Sequence, residues 1–319
     1  MAKKIASAGI LIALGLAGWI SYQSFLANQA TSNPVPHNIV APLTQTVVAV
    51  GDIACGPEDQ EKSCQDRKVA ELVRKINPDK ILILGDVQYQ NGSLRDFQNY
   101  FAKNWAALKS KMLPAPGNHE YHSDGASGYN RYFGAAAGDP TKGYYSYDLG
   151  SWHIIVINRY AHYAQSNQTA AWNAQIAWLR QDLIDHPNTC TLAYWHEPRF
   201  SSGTEHGNDT SKSPSLWTEL YNGGADLVLN GHEHNYERFA PQDPNGNLDE
   251  TNGIVEMVVG TGGAPEESYV FGTPLLNSLV RQGNSPGVMK LTLHPNSYDW
   301  EFVPVAGGTF TDSGTMNCH

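Results

Sequence analysis

Five short apolar runs in the sequence each lead into an Asp, Asn or His residue. In open α/β sheets, ligands bind beyond the carboxyl ends of the strands, so such residues are expected to meet at one edge. Runs of this length and apolarity are typical of buried strands. The pattern therefore predicts an α/β fold with one polar site built from five loops. The runs span residues 46–50, 80–84, 112–115, 191–195 and 225–229, and they lead into Asp52, Asp86, Asn118, His196 and His232.

Each of these polar residues has an ordinary explanation when it is taken alone. An Asp after a strand is usually a turn or cap residue, and a single buried His is usually a hydrogen-bonded core residue. The joint pattern is what indicates a site, because Gly51, Gly85, Gly117 and Gly231 also stand beside four of the residues. Glycine lets the backbone turn sharply beneath crowded side chains.

Helical periodicity separates several of the runs. Residues 69–76 repeat apolar side chains at helical spacing, and Asn77-Pro78 ends that helix. Ser93 can cap a second helix, and residues 171–185 show the same periodicity. This alternation of helices and strands is typical of α/β proteins.

The second half of the chain is richer in strands. Gly150-Ser151 stands between two apolar runs and predicts a hairpin, and only strands are predicted after Gly253. No second linker is seen after residue 42, so we expect one domain over residues 46–319.

The first thirty residues have the pattern of an export signal. Lys3 and Lys4 precede an uncharged apolar stretch over residues 5–20. We interpret residues 1–30 as a signal peptide or an N-terminal signal anchor and the proline-containing residues 31–45 as a linker. The protein is therefore expected outside the cytoplasm, and the membrane is expected as a partner only through that anchor.

The four cysteines are even in number, as expected for disulfides in an exported protein. Three pairings are possible. Because Cys55 and Cys64 share one polar loop, a local bridge between them is the natural interpretation, which leaves Cys190 to pair with Cys318.

The charge balance excludes one class of partner. The chain has 31 Asp and Glu against 21 Lys and Arg, a formal net charge of −10. Since so acidic a domain repels a polyphosphate backbone, we expect no nucleic-acid partner.

The polar blocks have the order and spacing of a known superfamily. They are Gly51-Asp52, Gly85-Asp86-Val87-Gln88-Tyr89, Gly117-Asn118-His119-Glu120, His196 after a strand, and Gly231-His232-Glu233-His234. The chain thus resembles the calcineurin-like metallophosphoesterases, and within them the purple acid phosphatase branch. Like that branch, it lacks the Asp-x-His of the wider superfamily and has Tyr89 instead. It departs from the branch at Ala54, where Gly is usual, and we expect no separate N-terminal β-domain of the kind seen in the large plant enzymes.

The resemblance implies the fold and the ligands. The fold would consist of two packed mixed β-sheets flanked by helices, a four-layer sandwich that makes residues 46–319 a catalytic domain. Each of two metal ions would bind one of two ligand sets, and Asp86 would belong to both sets. The first set is Asp52, Asp86, Tyr89 and His234, and the second is Asp86, Asn118, His196 and His232. Two carboxylates and a phenolate suit Fe(III), whereas the second, nearly neutral set suits a divalent ion such as Zn, Fe or Mn.

Two further histidines are candidates for contact with the substrate. His119 directly follows a predicted ligand, and Glu120 beside it could orient its ring. His206 lies in a Gly- and Ser-rich loop, and similar enzymes place a substrate-facing His near that position.

The function that the resemblance implies is hydrolysis of a small phosphomonoester by a metal-activated hydroxide. Phosphodiester hydrolysis at the same two metal ions is one alternative, and a non-catalytic surface binding module is another. A metallo-β-lactamase-like hydrolase is disfavoured because its His-x-His-x-Asp-His run is absent. The natural substrate, the divalent metal and the oligomeric state stay open.

Overall fold

The structure is a computed structural model, and it describes residues 44–57, 64–161, 168–264 and 270–319. The expected export signal and nearly all of the expected linker lie outside the described residues. Within them, the first strand begins at Gln45. No described helix is both long enough and apolar enough to cross a membrane.

The described strands form two mixed sheets. The first has six strands in the order β13-β12-β11-β1-β2-β3, in which β1, β2 and β3 run parallel and the other pairs antiparallel. The second has seven strands in the order β10-β8-β9-β7-β6-β5-β4, in which β5, β6, β7 and β9 run parallel. The strands are β1 (Gln45–Val50), β2 (Lys80–Leu84), β3 (Met112–Ala115), β4 (Tyr145–Leu149), β5 (Trp152–Val156), β6 (Cys190–Tyr194), β7 (Leu227–Asn230), β8 (Tyr236–Phe239), β9 (Val255–Val259), β10 (Ser278–Gln282), β11 (Gly287–His294), β12 (Ser297–Pro304) and β13 (Ser313–Asn317).

The helices lie between the strands in sequence. A π-helical turn joins α2 to α3, and 3₁₀ turns follow α3, precede α5 and follow α5. The α-helices are α1 (Asp66–Ile76), α2 (Leu94–Asp96), α3 (Ala102–Trp105), α4 (Asn118–Tyr121), α5 (Ser127–Phe133), α6 (Gln168–Asp185) and α7 (Ser213–Asn222).

Three apolar clusters hold the layers together. The first lies between the two sheets and includes Leu82 and Leu192. The second packs α1 and the segment that contains α2 and α3 on the outer face of the first sheet, and the third packs α6 and α7 on the outer face of the second. Each strand of the parallel centre is buried on both faces, which explains its uninterrupted apolar run. The predicted architecture, two packed mixed sheets flanked by helices, is confirmed.

Local signals in the sequence mark several of the element ends. Ser93 caps α2, because its Oγ accepts a hydrogen bond of 3.1 Å from the backbone N–H of Asp96. Asn77 ends α1 in a left-handed conformation with φ of 54°. The hairpin at Gly150 joins β4 to β5 as predicted.

Several short elements were not predicted. Helix α7 has only ten residues, so its apolar residues repeat too few times to define a period. Strands β8, β10 and β13 have four or five residues each and include polar side chains. Their position follows from pairing with longer neighbours.

Both predicted disulfides are present. Cys55 bonds to Cys64, and Cys190 at the start of β6 bonds to Cys318 just after β13. The second bond therefore fastens the C-terminal edge of the first sheet to the centre of the second.

Candidate metal centre

The five predicted loops bring their polar residues to the same place. Asp52 follows β1, Asp86 follows β2 and Asn118 follows β3, all in the first sheet. His196 follows β6 and His232 follows β7 in the second sheet. The site is therefore shared by the two sheets at the carboxyl ends of their parallel strands, as expected.

Tyr89 lies at the centre of one half of the site. Its hydroxyl is 3.0 Å from Asp52 Oδ1 and 3.3 Å from Asp86 Oδ2. It is also 2.8 Å from Nε2 of His234. The tyrosine is 4% exposed, so four oxygen and nitrogen donors converge in a space that water scarcely reaches.

The other half of the site is built around His196. Its Nε2 lies 2.9 Å from Asp86 Oδ2 and 3.1 Å from Nδ1 of His232. Its Nδ1 lies 2.8 Å from the carbonyl oxygen of Leu84 and donates its proton there. That bond leaves Nε2 as the ring nitrogen that faces the site.

Asp86 joins the two halves. The same oxygen, Oδ2, faces both Tyr89 and His196, while Oδ1 accepts a 2.9 Å hydrogen bond from the backbone N–H of His119. Asp52 is held in the same manner, because its Oδ2 accepts a 2.9 Å bond from the N–H of His232 and its Oδ1 faces inward. Each carboxylate is thus fixed by one oxygen and presents the other.

Three of these residues adopt an unusual backbone conformation. Asp52, Asp86 and His232 have φ of 60°, 44° and 74°. Residues with side chains rarely enter this left-handed region, and such strain concentrates at functional sites. The sequence suggested that the neighbouring glycines would make the turns; Gly85 does so with φ of 87°, but the other positive φ angles at these turns belong to the polar residues themselves.

The glycines instead permit close approach. A Cβ atom on Gly117 would lie 2.1 Å from Asp86 Oδ1, and one on Gly85 would lie 2.5 Å from the ring of His196. Both distances are shorter than contact allows, so any side chain here would displace the polar residues.

The charges of the site shift the pKa values of its members. Burial alone would lower the pKa of His196, but the charges of Asp86 and Asp52 outweigh it and raise that pKa to about 10. Burial and the charges of His196 and His206 hold the pKa of His232 well below its usual value. The imidazoles thus respond in opposite directions, because they face different neighbours.

His119 lies at the edge of this cluster. Its ring is 4.3 Å, centroid to centroid, from that of Tyr89, and its Nδ1 is 2.7 Å from the carbonyl oxygen of Gln90. Its Nε2 is 3.9 Å from Asp86 Oδ2, too far for a direct hydrogen bond. His122, one helical turn later and not predicted as part of the site, shares the Gln90 carbonyl at 3.0 Å.

Glu120 does not have the role that the sequence suggested for it. Its carboxylate accepts backbone N–H bonds from Val87, Gln88 and Gly117 at 2.8–3.2 Å, and it is fully buried. It fastens the Asp86 loop to the Asn118 loop, whereas the bond at Nδ1 of His119 is made by the Gln90 carbonyl.

His206 reaches the opposite edge of the site. Its ring stacks on that of His232 with centroids 3.9 Å apart and planes inclined by 23°. It is exposed, so a substrate in solution can reach it. The two histidines help to line a small cleft of about 180 Å³.

A cluster of polar residues in and beside this cleft was not predicted from the sequence. Arg159 lies between Asp209 and Glu197, with Nε 2.7 Å and 2.8 Å from their carboxylates. The hydroxyl of Tyr160 donates to Glu197 and lies 3.5 Å from Asn118 Oδ1. A signal was available, because residues 158–160 follow β5 just as the predicted ligands follow their strands.

The donors fit a metal centre. The inward-facing atoms are two carboxylate oxygens, a phenol oxygen and imidazole nitrogens, the ligands that Fe and Zn prefer. Several are oriented by a second hydrogen bond from the backbone or to it. Asp86, His196 and His232 hold donor atoms within 4.8 Å of one another.

The fold and this cluster define a class: two-sheet α/β proteins whose loops meet in a centre of carboxylates and imidazoles. Residues 45–236 match the family model described as calcineurin-like phosphoesterase. The chain belongs to the calcineurin-like phosphoesterase family, and within it the chain is purple acid phosphatase-like. The family implies a site for two metal ions.

Relatives and solved structures agree with this assignment. The chain is 30% identical to purple acid phosphatase 15 of Arabidopsis thaliana over 234 residues, which are 61% of this chain and 42% of that protein. The structure of purple acid phosphatase PPD1 from yellow lupin seeds superposes with a TM-score of 0.70 at 19% identity, and it covers 86% of this chain and 54% of that one. GAP50, the anchor in the inner membrane complex of Plasmodium, superposes with a TM-score of 0.63 at 14% identity, with 86% and 89% covered. The chain thus spans about half the length of the purple acid phosphatases it matches.

Proposed function

We propose that the chain is an exported, dinuclear metal-dependent phosphatase that hydrolyses small phosphomonoesters. The observation that carries this proposal is the position of Asp86, whose Oδ2 faces Tyr89 on one side and His196 on the other. An oxygen that faces two sets of donors would suit two neighbouring metal ions. The two disulfides support export, because such bonds persist in oxidising compartments.

The ligands divide into two sets around that oxygen. Asp52, Tyr89 and His234 belong to the first set, and Asn118, His196 and His232 belong to the second. Together with the shared Asp86, the first set offers two carboxylates and a phenol to one ion, so we assign Fe(III) to it. The second has mostly neutral donors, so we assign a divalent ion to it, either Zn, Fe or Mn.

The need for metal ions follows from the charges in the cleft. A phosphate ester brings negative charge to a site that already has Asp52, Asp86, Glu197 and Asp209. Arg159 cannot supply the balance, because Asp209 and Glu197 already compensate its charge. The chemistry that two bound ions would supply is neutralisation of the phosphate oxygens and activation of a water molecule.

His119 and His206 act on the substrate in this proposal. The bond from Nδ1 of His119 to the Gln90 carbonyl holds a proton on that nitrogen and leaves Nε2 facing the metal centre, 3.9 Å from Asp86 Oδ2. When both ring nitrogens carry a proton, Nε2 can give its own to the leaving oxygen of the ester and the ring becomes neutral. His206, stacked on His232, faces the cleft from the other side and binds a phosphate oxygen or the group attached to it.

The test is phosphate release from an aryl phosphate monoester by the purified protein. We expect activity that a chelator removes and that added metal restores. Asp86→Asn abolishes it, whereas the matched control Asp299→Asn, in β12 and outside the site, leaves it unchanged. No phosphate release from any monoester with metal supplied would refute the proposal. Faster hydrolysis of an aryl phosphodiester would favour the phosphodiesterase alternative, and binding without turnover would favour the non-catalytic module.

A further inference from the structure

The loop over residues 201–208 holds His206 above the metal centre, and side chains from outside the loop fix its backbone. Glu237 accepts a 2.7 Å hydrogen bond from the N–H of Ser202 at the start of the loop. Glu233 accepts two at its far end, from the N–H groups of His206 at 2.8 Å and of Gly207 at 2.5 Å. Both bonds end on the same oxygen, Oε1, so one carboxylate fixes the two peptide groups that determine where the His206 ring lies.

Glu233 has an unusual place in the chain. It stands between His232 and His234, which are assigned to different metal ions, and its side chain reaches across to the opposite loop. It is 3% exposed. A Cβ atom on Gly203 would lie 2.2 Å from its Oε2, so the loop passes as close to the carboxylate as a residue without a side chain permits.

The backbone of Glu233 is fixed as firmly as its side chain. Its N–H donates to the carbonyl of Gly231 at 2.9 Å, and its own carbonyl accepts from Asn235 at 2.6 Å. The carboxylate therefore holds the His206 loop at a fixed position relative to the His232–His234 segment. The outcome of that link is the 3.9 Å stack of His206 on His232.

We propose that Glu233 is a positioning residue that holds the His206 loop over the metal centre and so aligns His206 with the substrate. The proposal rests on the phosphatase function proposed above. Glu233 touches neither the substrate nor the reacting atoms in this account. It acts through His206, so removal of its carboxylate should lower kcat/KM by no more than removal of the His206 ring does.

The kinetic test compares Glu233→Val, Glu233→Gln and His206→Ala, with metal content measured for each. Glu233→Val lowers kcat/KM about 10- to 100-fold, mainly through KM, because displacement of a substrate-binding group costs that much. Glu233→Gln keeps an acceptor oxygen and remains within about threefold of wild type. Glu233→Val adds nothing in the His206→Ala background, since its effect is carried by His206. Glu219→Val, which removes a carboxylate on α7 that pairs with Arg180, is the matched control and leaves kcat/KM unchanged.

A second readout does not depend on activity. Amide hydrogen exchange at His206 and Gly207 is faster in Glu233→Val than in wild type, while exchange in β7 is unchanged. If Glu233→Val does not fold, Glu233→Asp serves instead, because its shorter side chain cannot reach both amides. Unchanged exchange, an additive effect in the His206→Ala background, or loss of bound metal would overturn the positioning role. Wild-type protein without phosphatase activity would refute the proposed function, and the exchange experiment would still decide whether Glu233 holds the loop.

Discussion

The two disulfides should differ in their contribution to stability, because they close loops of very different length. Cys190 and Cys318 are 128 residues apart, and Cys55 and Cys64 are 9 apart. Loop-closure entropy in the unfolded chain then gives about 4.9 kcal/mol for the first bond and about 2.6 kcal/mol for the second, at sequence separations of 128 and 9. The expected difference is about 2.3 kcal/mol.

The folded state should tolerate loss of the longer bridge. Cys318 keeps a backbone bond of 2.9 Å from its N–H to the Asn296 carbonyl, and the N–H of His319 donates to Asp226 at 2.9 Å. These bonds hold the chain end in place without the sulfur atoms. Loss of the bridge therefore acts mainly by raising the conformational entropy of the unfolded chain, which is the effect that the loop-closure values describe.

Equilibrium urea unfolding of two double variants measures this difference. We expect Cys190→Ala/Cys318→Ala to lose more unfolding free energy than Cys55→Ala/Cys64→Ala, by roughly 2 kcal/mol, with tryptophan fluorescence as the probe. Equal losses, or a larger loss from the local bridge, would refute the reasoning.

Three further predictions concern single side chains. Tyr89→Phe should bleach the visible absorbance of the iron-loaded protein, because the phenolate-to-Fe(III) transition disappears, and it should weaken binding of the iron. An unchanged absorption spectrum would show that Tyr89 only packs beside the site. His119→Ala should keep both ions but slow turnover roughly 10²–10⁴-fold. Metal analysis and steady-state kinetics measure the two effects, and loss of the ions would contradict the role of His119 as proton donor. His153→Gln should lower the free energy of unfolding most below a pH of about 6.5, and this loss should shrink as the pH rises further. Unfolding at several pH values measures the loss, and a loss that grows with pH would contradict the prediction.

The surroundings of His153 determine the direction of this pH dependence. Burial alone would lower its pKa, but hydrogen bonds and charges of Asp182 and Asp148, each 2.9 Å from a ring nitrogen, outweigh that and raise it. A raised pKa in the folded state gives stability that is complete at low pH and is lost as pH passes through that pKa. His186, stacked on His153 at 4.4 Å, faces the same ring.

The sequence was informative about the site because strand ends carry their own signal. An apolar run followed by Asp86 or His196 predicts both the strand and the direction in which the polar residue lies. The disulfide pairing could be anticipated as well, since the local Cys55–Cys64 bridge leaves a single partner for Cys190.

Contacts between residues that are far apart in the sequence could not be predicted in the same way. Glu120 and Glu233 were visible as members of motifs, but their partners are backbone N–H groups of distant loops, which leave no trace in side-chain identity. Arg159 was visible as a polar residue after β5, but its ion pairs with Glu197 and Asp209 depend on how the folded loops pack. Register and loop packing decide these contacts, and both are properties of the folded chain.

The most direct test of the proposed metal centre is the metal content of the wild-type protein and of Asp86→Asn, determined by elemental analysis on samples assayed for phosphate release. We predict two ions per wild-type chain and loss of both bound metal and activity in the variant, because the amide lacks the negative charge of the carboxylate that both ligand sets share. A wild-type protein that holds at most one ion when metal is supplied, or a variant that keeps two ions and full activity, would contradict the assignment.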